Sequence, residues 1–257
     1  MKEKPAHVRR REEIWERQHA ALQAEHYRIT IRGRGERDGK TINLGKDKGE
    51  AVSSLEEALL LYRSGNYGYT EHEIKEAYHN AKVNEDGTRN MEKFYTAEEV
   101  RQLIPRLEYF NATENDIYLT PIDARTHFVL MDDLTTKGVE HIKAEGYDPC
   151  VICSSSENNF QAVLRVPRNQ ISEEEQSCGT ALMQRLNQRL PDGCGGDKAI
   201  TAVRHAFRMA GFHNKKPGRN NIQTVIQTTN PGAICQKATA EMDAVRIERE
   251  LSRTVER

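Results

Sequence analysis

The chain has 257 residues, with 38 lysines and arginines against 39 acids and a formal net charge of -1. That length allows one large domain, or a core of roughly 150 residues with attachments, and the balanced charge excludes a globally basic nucleic-acid binder, so any such contact must come from a local patch. Apolar runs such as FVLM and ALLLY are far too short to cross a bilayer, and MKEKPAHVRRREEIWERQ lacks the apolar centre of a signal peptide, so a cytoplasmic setting is expected.

The first helix is expected over residues 6–26, where Ile14, Trp15, Gln18 and Leu22 recur at helical spacing. Tyr27 to Ile31 alternates like a strand, and the glycine-punctuated stretch GRGERDGKTINLGKDKGEA reads as a flexible basic loop without a Walker motif, in which Lys46 and Lys48 are minor candidates for phosphate contact. Capping signals at Ser53 or Ser54 and at Thr70, each with glutamate at helical offset, predict a helical hairpin over about 53–83. Another capped helix opens at Thr96 and is expected to be interrupted at Pro105.

Beyond it the texture changes. DIYLTPI and THFVLMDD are strand-like runs joined by a short turn and predict an antiparallel pair. A helix over 134–146 follows, capped by Asp133 or Thr135, and then PCVICSSS and NFQAVLRV form a second pair around Glu157-Asn158. Helices over 172–190 and 198–209, a strand over 221–229 and a charged terminal helix from about Gln236 complete the chain. This mixture predicts an α+β fold with a mainly antiparallel sheet and flanking helices. The expected division is an N-terminal helical accessory region, 1–94, a core, 95–232, and a terminal helix, 233–257. The five cysteines read as free thiols; Cys150 and Cys153 form a CxxC in an apparent strand, and a zinc site there would need Cys178 or Cys194.

The chemistry-bearing residues cluster late. As a helix, 198–209 gathers Asp197, Thr201, Arg204, His205 and Arg208 on one arc and Ala199, Val203, Ala206, Phe207 and Ala210 opposite, ahead of the basic loop His213, Asn214, Lys215 and Lys216. Asp132 and Asp133 end an apolar strand, where alternation sends them to opposite faces unless the strand twists out or ends there. Two adjacent acids repel unless a cation holds them, and hard divalent metals are the usual solution. With the polar hairpin carrying Ser154, Ser155, Ser156, Asn158, Asn159 and Gln161, three acids and a basic segment suit metal-assisted phosphoryl transfer.

The order of FYTAEEV, YLTPID, FVLMDDL, SSSENNFQAVLRVP and FRMAGFHNKKPGR resembles that of the RepB-like plasmid DNA primases, above all the primase region fused to MobA-type mobilisation relaxases, within the archaeo-eukaryotic primase superfamily. The resemblance implies a primase-like core with Asp132, Asp133 and Asp197 as metal-binding acids. It implies nucleotide contacts from Arg204, His205, Arg208, Asn214 and Lys216. It also brings magnesium or manganese, nucleoside triphosphates, a single-stranded DNA template, replication or relaxase proteins as partners, and primer synthesis in plasmid replication or transfer. Gln161 stands where many superfamily members have histidine; it cannot carry a proton or positive charge, so that contact is weaker or falls to Ser155 or Ser156. No HxH occurs among the nine histidines, so relaxase nickase chemistry is not read here. The competing readings are a non-catalytic DNA-binding module of an initiator or relaxase complex, and a metal-dependent nuclease using the same acids.

Overall fold

In the computed structural model, residues 5–34 and 39–255 are described. Helix α1 (Ala6–Leu22) leads into β1 (His26–Gly33), followed by β2 (Thr41–Asn43) and β3 (Ala51–Val52). Next come α2 (Leu55–Ser64), α3 (Glu71–Asn80), β4 (Arg89–Asn90), α4 (Ala97–Ala112), β5 (Asn115–Ile122) and β6 (Thr126–Leu134). Then follow α5 (Thr136–Ala144), β7 (Val151–Ser156), β8 (Asn159–Pro167), α6 (Glu173–Gln188), β9 (Phe207–Arg208), β10 (Val225–Thr229) and α7 (Gln236–Val255). The strands form two four-stranded sheets, β2-β1-β5-β9 and β10-β7-β8-β6, with β3-β4 as a separate pair, and every strand pairing is antiparallel. The α+β class with flanking helices is therefore what the chain adopts.

The two sheets share one core with α1, α4, α6 and α7. Trp15 docks α1: it is fully buried, and its indole N–H donates to the Ala97 carbonyl at 2.9 Å at the start of α4. Its loss would leave a cavity and remove a hydrogen bond between α1 and α4, at a cost of about 3–5 kcal/mol. Strand β1 pairs with β5 along its whole length, His26 opposite Ile122 to Gly33 opposite Asn115, so the N-terminal segment supplies a central strand and one wall of the later cleft. The expected hairpin over 53–83 forms as α2 and α3, with Ser54 and Thr70 as N-caps, over a separate small core of Val52, Ala58, Tyr62, Ile74, Met91, Phe94 and Ile122.

Several sequence expectations are corrected. Strands β5 and β6 do not pair with each other; each lies in a different sheet, because both are buried along most of their length and pair over nearly all of it with β1 and β8. Helix α4 is not interrupted at Pro105: the proline lies on its exposed side, where water can replace the missing donor, while Val100, Ile104 and Leu107 anchor the other side. Of the segment read as a flexible loop, 41–43 forms β2 and residues 35–38 lie outside the described residues. The strand expected over 221–229 is regular only from Val225. All five cysteines are free and buried.

The largest correction concerns 198–209, which is not helical. Residues 197–206 form irregular backbone and Phe207–Arg208 is a short strand on β5. The donors of this stretch go to distant acceptors rather than to the preceding turn. Val203 N–H bonds Thr180 Oγ1, Arg208 N–H bonds Gln161 Oε1, Met209 N–H bonds the Ile117 carbonyl and Ala210 N–H bonds Gln18 Oε1. Ile200, Val203, Phe207, Met209 and Ala210 are all buried, so the apolar residues are satisfied by the core without helical periodicity.

Candidate active site

The acids meet at the end of β6. The pairing of β6 with β8 shifts register between Met131 and Leu134, and Asp133 adopts a φ of 52°, so strict alternation breaks and both Asp132 and Asp133 line one cleft. The third acid is brought by Gly195-Gly196. Leu134 bridges Gly195, Gly196 N–H reaches the Asp133 carbonyl at 3.3 Å, and Asp197 N–H reaches the Asp132 carbonyl at 3.1 Å. Gly195 has φ +84°, and a Cβ there would stand 2.1 Å from the Asp133 carbonyl oxygen, so only glycine permits this approach.

Asp132, Asp197 and His205 each offer one ligand atom, and these atoms lie within 4.8 Å of one another. Asp132 Oδ1 also accepts from Gln161 Nε2 at 2.9 Å and from Asp133 N–H at 2.7 Å, while Asn187 Oδ1 accepts the Asp132 N–H at 3.0 Å. Burial raises the Asp132 carboxyl above its ordinary value; the Gln161 hydrogen bond opposes this and the neighbouring Asp133 charge adds to it. Gln161 uses both ends of its amide, because its Oε1 accepts the Arg208 N–H at 3.1 Å. Asp133 stands outside the close trio and accepts from Asn159 Nδ2 at 2.8 Å.

The facing wall is cationic. Arg32 and Arg34 come from the end of β1, Arg208 from β9, and Lys216 and Arg219 from the loop after it, around a cleft of about 400 Å³. Behind them lies Asp116, fully buried, which accepts from Arg34 Nε at 2.6 Å, from Arg208 Nη1 at 2.7 Å and from the Lys215 N–H at 2.7 Å. Burial alone would raise the Asp116 carboxyl, but the hydrogen bonds and charge of Arg208, together with Lys215 N–H and Arg34, hold it below its ordinary value. One carboxylate thus fixes two guanidinium groups and the start of the basic loop. Asn214 Nδ2 donates to the Ser155 carbonyl at 2.8 Å, and Ser155 Oγ donates to Asn159 Oδ1 at 2.5 Å, which ties the loop to the β7-β8 hairpin.

Of the residues expected from sequence, Asp132, Asp133, Ser155, Gln161, Asp197, His205, Arg208, Asn214 and Lys216 line this cleft. Ser156 does not line it; its hydroxyl accepts from Arg219 Nη1 at 3.1 Å. Arg204 is directed elsewhere, into contact with the helical hairpin, and His205 groups with two acids rather than with the arginines. Arg32, Arg34, Asp116, Tyr118 and Arg219 were not anticipated. The signal for the first two was present, since Thr30, Arg32 and Arg34 alternate along one strand face.

Asp132, Asp197 and His205 thus make a candidate metal-holding cluster across one cleft from a cationic wall that includes the fixed Arg34 and Arg208. The family profile of the RepB DNA-primase N-terminal domain matches residues 72–245, and the chain belongs to that family. It is 28% identical over 126 residues to a DNA primase of Acidithiobacillus ferrooxidans, an alignment covering 48% of this chain and 33% of that protein. To Mobilization protein A of Escherichia coli it is 33% identical over 127 residues, covering 49% and 17% respectively, so the chain matches a third or less of either relative's length. The fold is similar to the crystal structure of the catalytic domain of primase RepB′ in complex with initiator DNA, with a TM-score of 0.64 and 21% identity over 95% of this chain and 98% of that one. A second RepB′ crystal structure matches with a TM-score of 0.63 and 20% identity, over 96% and 65%. Among the described residues no helix is long and apolar enough to cross a membrane.

Proposed function

We propose that the cleft is the nucleotidyl-transfer site of a primase-polymerase that makes primers on single-stranded DNA during plasmid or mobile-element replication or transfer, in the cytoplasm. The observation that carries this reading is the opposition of walls: Asp132, Asp197 and His205 on one side, and Arg34 and Arg208 locked by Asp116 on the other. A nucleoside triphosphate fits such a cleft with its tail on the cations and its α-phosphate at the acids.

The donor set fits a divalent ion. Two carboxylates suit magnesium or manganese, and the imidazole tilts the preference toward manganese. When bound, such an ion supplies positive charge for the developing negative charge on the phosphate and its leaving group. Asp132, Asp197 and His205 would hold it, and Asp133 is the carboxylate we assign to a second ion. The chain's own contribution is orientation. Arg34, Arg208, Lys216 and Arg219 hold the phosphates, Asn214 and Ser155 keep the basic loop against the hairpin, and Gln161 fixes Asp132 relative to β9. Gln161 has no charge to offer the phosphates, and its bonds to Asp132 and Arg208 support a spacer role where many superfamily members have histidine.

The test is incorporation of labelled nucleotides on single-stranded DNA with magnesium or manganese, comparing the wild type with Asp132→Ala/Asp133→Ala. Product that is lost in the double variant, while its circular dichroism is retained, supports the assignment. Absence of product from the wild type over varied templates and both sugar types would replace it with a DNA-binding module, and degradation of the template would replace it with a nuclease.

A further inference from the structure

We propose that the helical hairpin α2-α3 sets the geometry of the cleft, by gripping Arg204 and through it the irregular segment that carries Asp197 and His205. The cleft half of this proposal rests on the functional reading above; the grip itself does not.

The segment 197–206 has no helix or ladder to hold it. Its first half is tied by side chains of α6 and by its own: Lys198 Nζ donates to the Asn187 and Gln188 carbonyls at 3.0 and 2.7 Å, and Gln184 Nε2 donates to the Ile200 carbonyl at 3.0 Å. Between Val203 and the β9 pairing at Phe207 the hold passes to Arg204. Its guanidinium lies 4.0 Å from the Tyr69 ring centroid, pairs with the Glu73 carboxylate and donates to the Gly68 carbonyl. All three partners belong to the turn and first helical turn of α3. A cation stacked on a ring, ion-paired and bonded to a backbone carbonyl at once is held in one orientation, because the planar fork leaves few alternatives.

The partners are themselves fixed. Tyr69 Oη accepts from Arg28 Nη2 at 2.7 Å, and Arg28 is paired with Glu92. The ring stacks on Phe94 within the aromatic cluster of the hairpin's own core. Gly68, at φ +68°, presents its carbonyl to both Arg204 and Arg168, and a Cβ there would meet the Asp123 carbonyl oxygen at 2.5 Å. The hairpin is therefore seated on the core at the point where Arg204 enters it. His205, the next residue, turns the other way, toward Asp132 and Asp197. Arg204 is thus a positioning residue. It is not among the described residues that line the cleft, and its grip limits how far His205 can stray from the acids.

The experiment is hydrogen exchange by mass spectrometry, with Mn²⁺ binding followed by electron paramagnetic resonance, on the full chain. The proteins are the wild type, Arg204→Ala, Arg204→Lys, Glu73→Gln and Tyr69→Ala, with the exposed Arg63→Ala as control. Glu73→Gln removes the ion pair while leaving an oxygen for the Thr70 N–H that caps α3. In Arg204→Ala and Glu73→Gln, peptides spanning 197–206 should exchange about tenfold faster, with β6 to β8 unchanged. Mn²⁺ affinity should fall about tenfold, as for other residues that orient a ligand from behind, and Arg204→Lys should recover part of both. Combining Arg204→Ala with Tyr69→Ala and Glu73→Gln should add little to Arg204→Ala alone. Unchanged exchange over 197–206 in Arg204→Ala would overturn the proposal. So would an undiminished effect of Arg204→Ala where Tyr69 and Glu73 are already replaced. Faster exchange in a protein whose wild type binds no Mn²⁺ would uphold the grip and overturn the metal reading of the cleft instead.

Discussion

The backbone N–H of Asp197 donates to the carbonyl of Asp132 across 3.1 Å, joining the turn after α6 to the end of β6. Because this bond runs between main chains, the separation of the two residues' backbones is fixed by the path of the chain, and side-chain bonds such as that from Gln161 aim the Asp132 carboxylate.

That path depends on Gly195. A Gly195→Ala variant places a methyl against the Asp133 carbonyl oxygen at a φ that favours glycine, so the turn must retreat from β6. The expected result is a loss of about 1–3 kcal/mol in urea unfolding and a fall of about 100-fold in nucleotide incorporation, with an intact sheet signal by circular dichroism.

Asp116 should be more important to the cationic wall than any single cation. Asp116→Ala leaves Arg34 and Arg208 buried beside each other without their carboxylate. Breaking a buried pair in this way costs about 3–5 kcal/mol, which thermal unfolding will read. Asp116→Asn keeps the size and part of the hydrogen bonding. It should fold, and its apparent KM for the nucleoside triphosphate should rise about tenfold as the arginines lose their orientation.

Metal preference should follow His205. If the imidazole is a ligand, half-maximal incorporation needs less manganese than magnesium in the wild type. His205→Asp exchanges nitrogen for oxygen and should narrow that difference by about tenfold. An unchanged ratio would remove His205 from the ligand set.

Stability should fall in acid through a cluster remote from the cleft. Glu175 is buried against His127, Arg246 and the Asn169 N–H; burial alone would raise its carboxyl, but these hydrogen bonds bring it to about 2, against an ordinary 4.5. A depressed carboxyl stabilises the fold above its unfolded value, and that stabilisation, of order 3 kcal/mol at most, is lost as pH falls from 4.5 toward 2. His127 is shifted down by burial, so the unfolded chain binds its proton first and stability begins to fall below pH 6.5. Urea midpoints between pH 2 and pH 7 should show both phases, and Glu175→Gln should flatten the more acidic one.

The sequence by itself determined what depends on neighbours along the chain. The capped starts of α2, α3, α4 and α6 follow from Ser54, Thr70, Thr96 and Ser172, and the β7-β8 hairpin follows from its turn and alternation. The residue types and order of DD, SSSENNFQ and GGD also sufficed to name most of the cleft and its family. What only the tertiary structure decided is non-local. Residues 198–209 have a helical apolar pattern, yet their donors find Thr180, Gln161, Ile117 and Gln18, and the sum of these partners outweighs local propensity. Strand β5 chose β1 over β6 because pairing is set by the surface two strands bury together, which periodicity within one strand does not encode. The same reason hid Asp116, a single acid in an apolar strand whose partners lie at positions 34 and 208. It also moved Arg204 out of the cleft and set His205 beside the acids rather than the arginines, since on irregular backbone adjacent side chains part in directions that only their packing fixes.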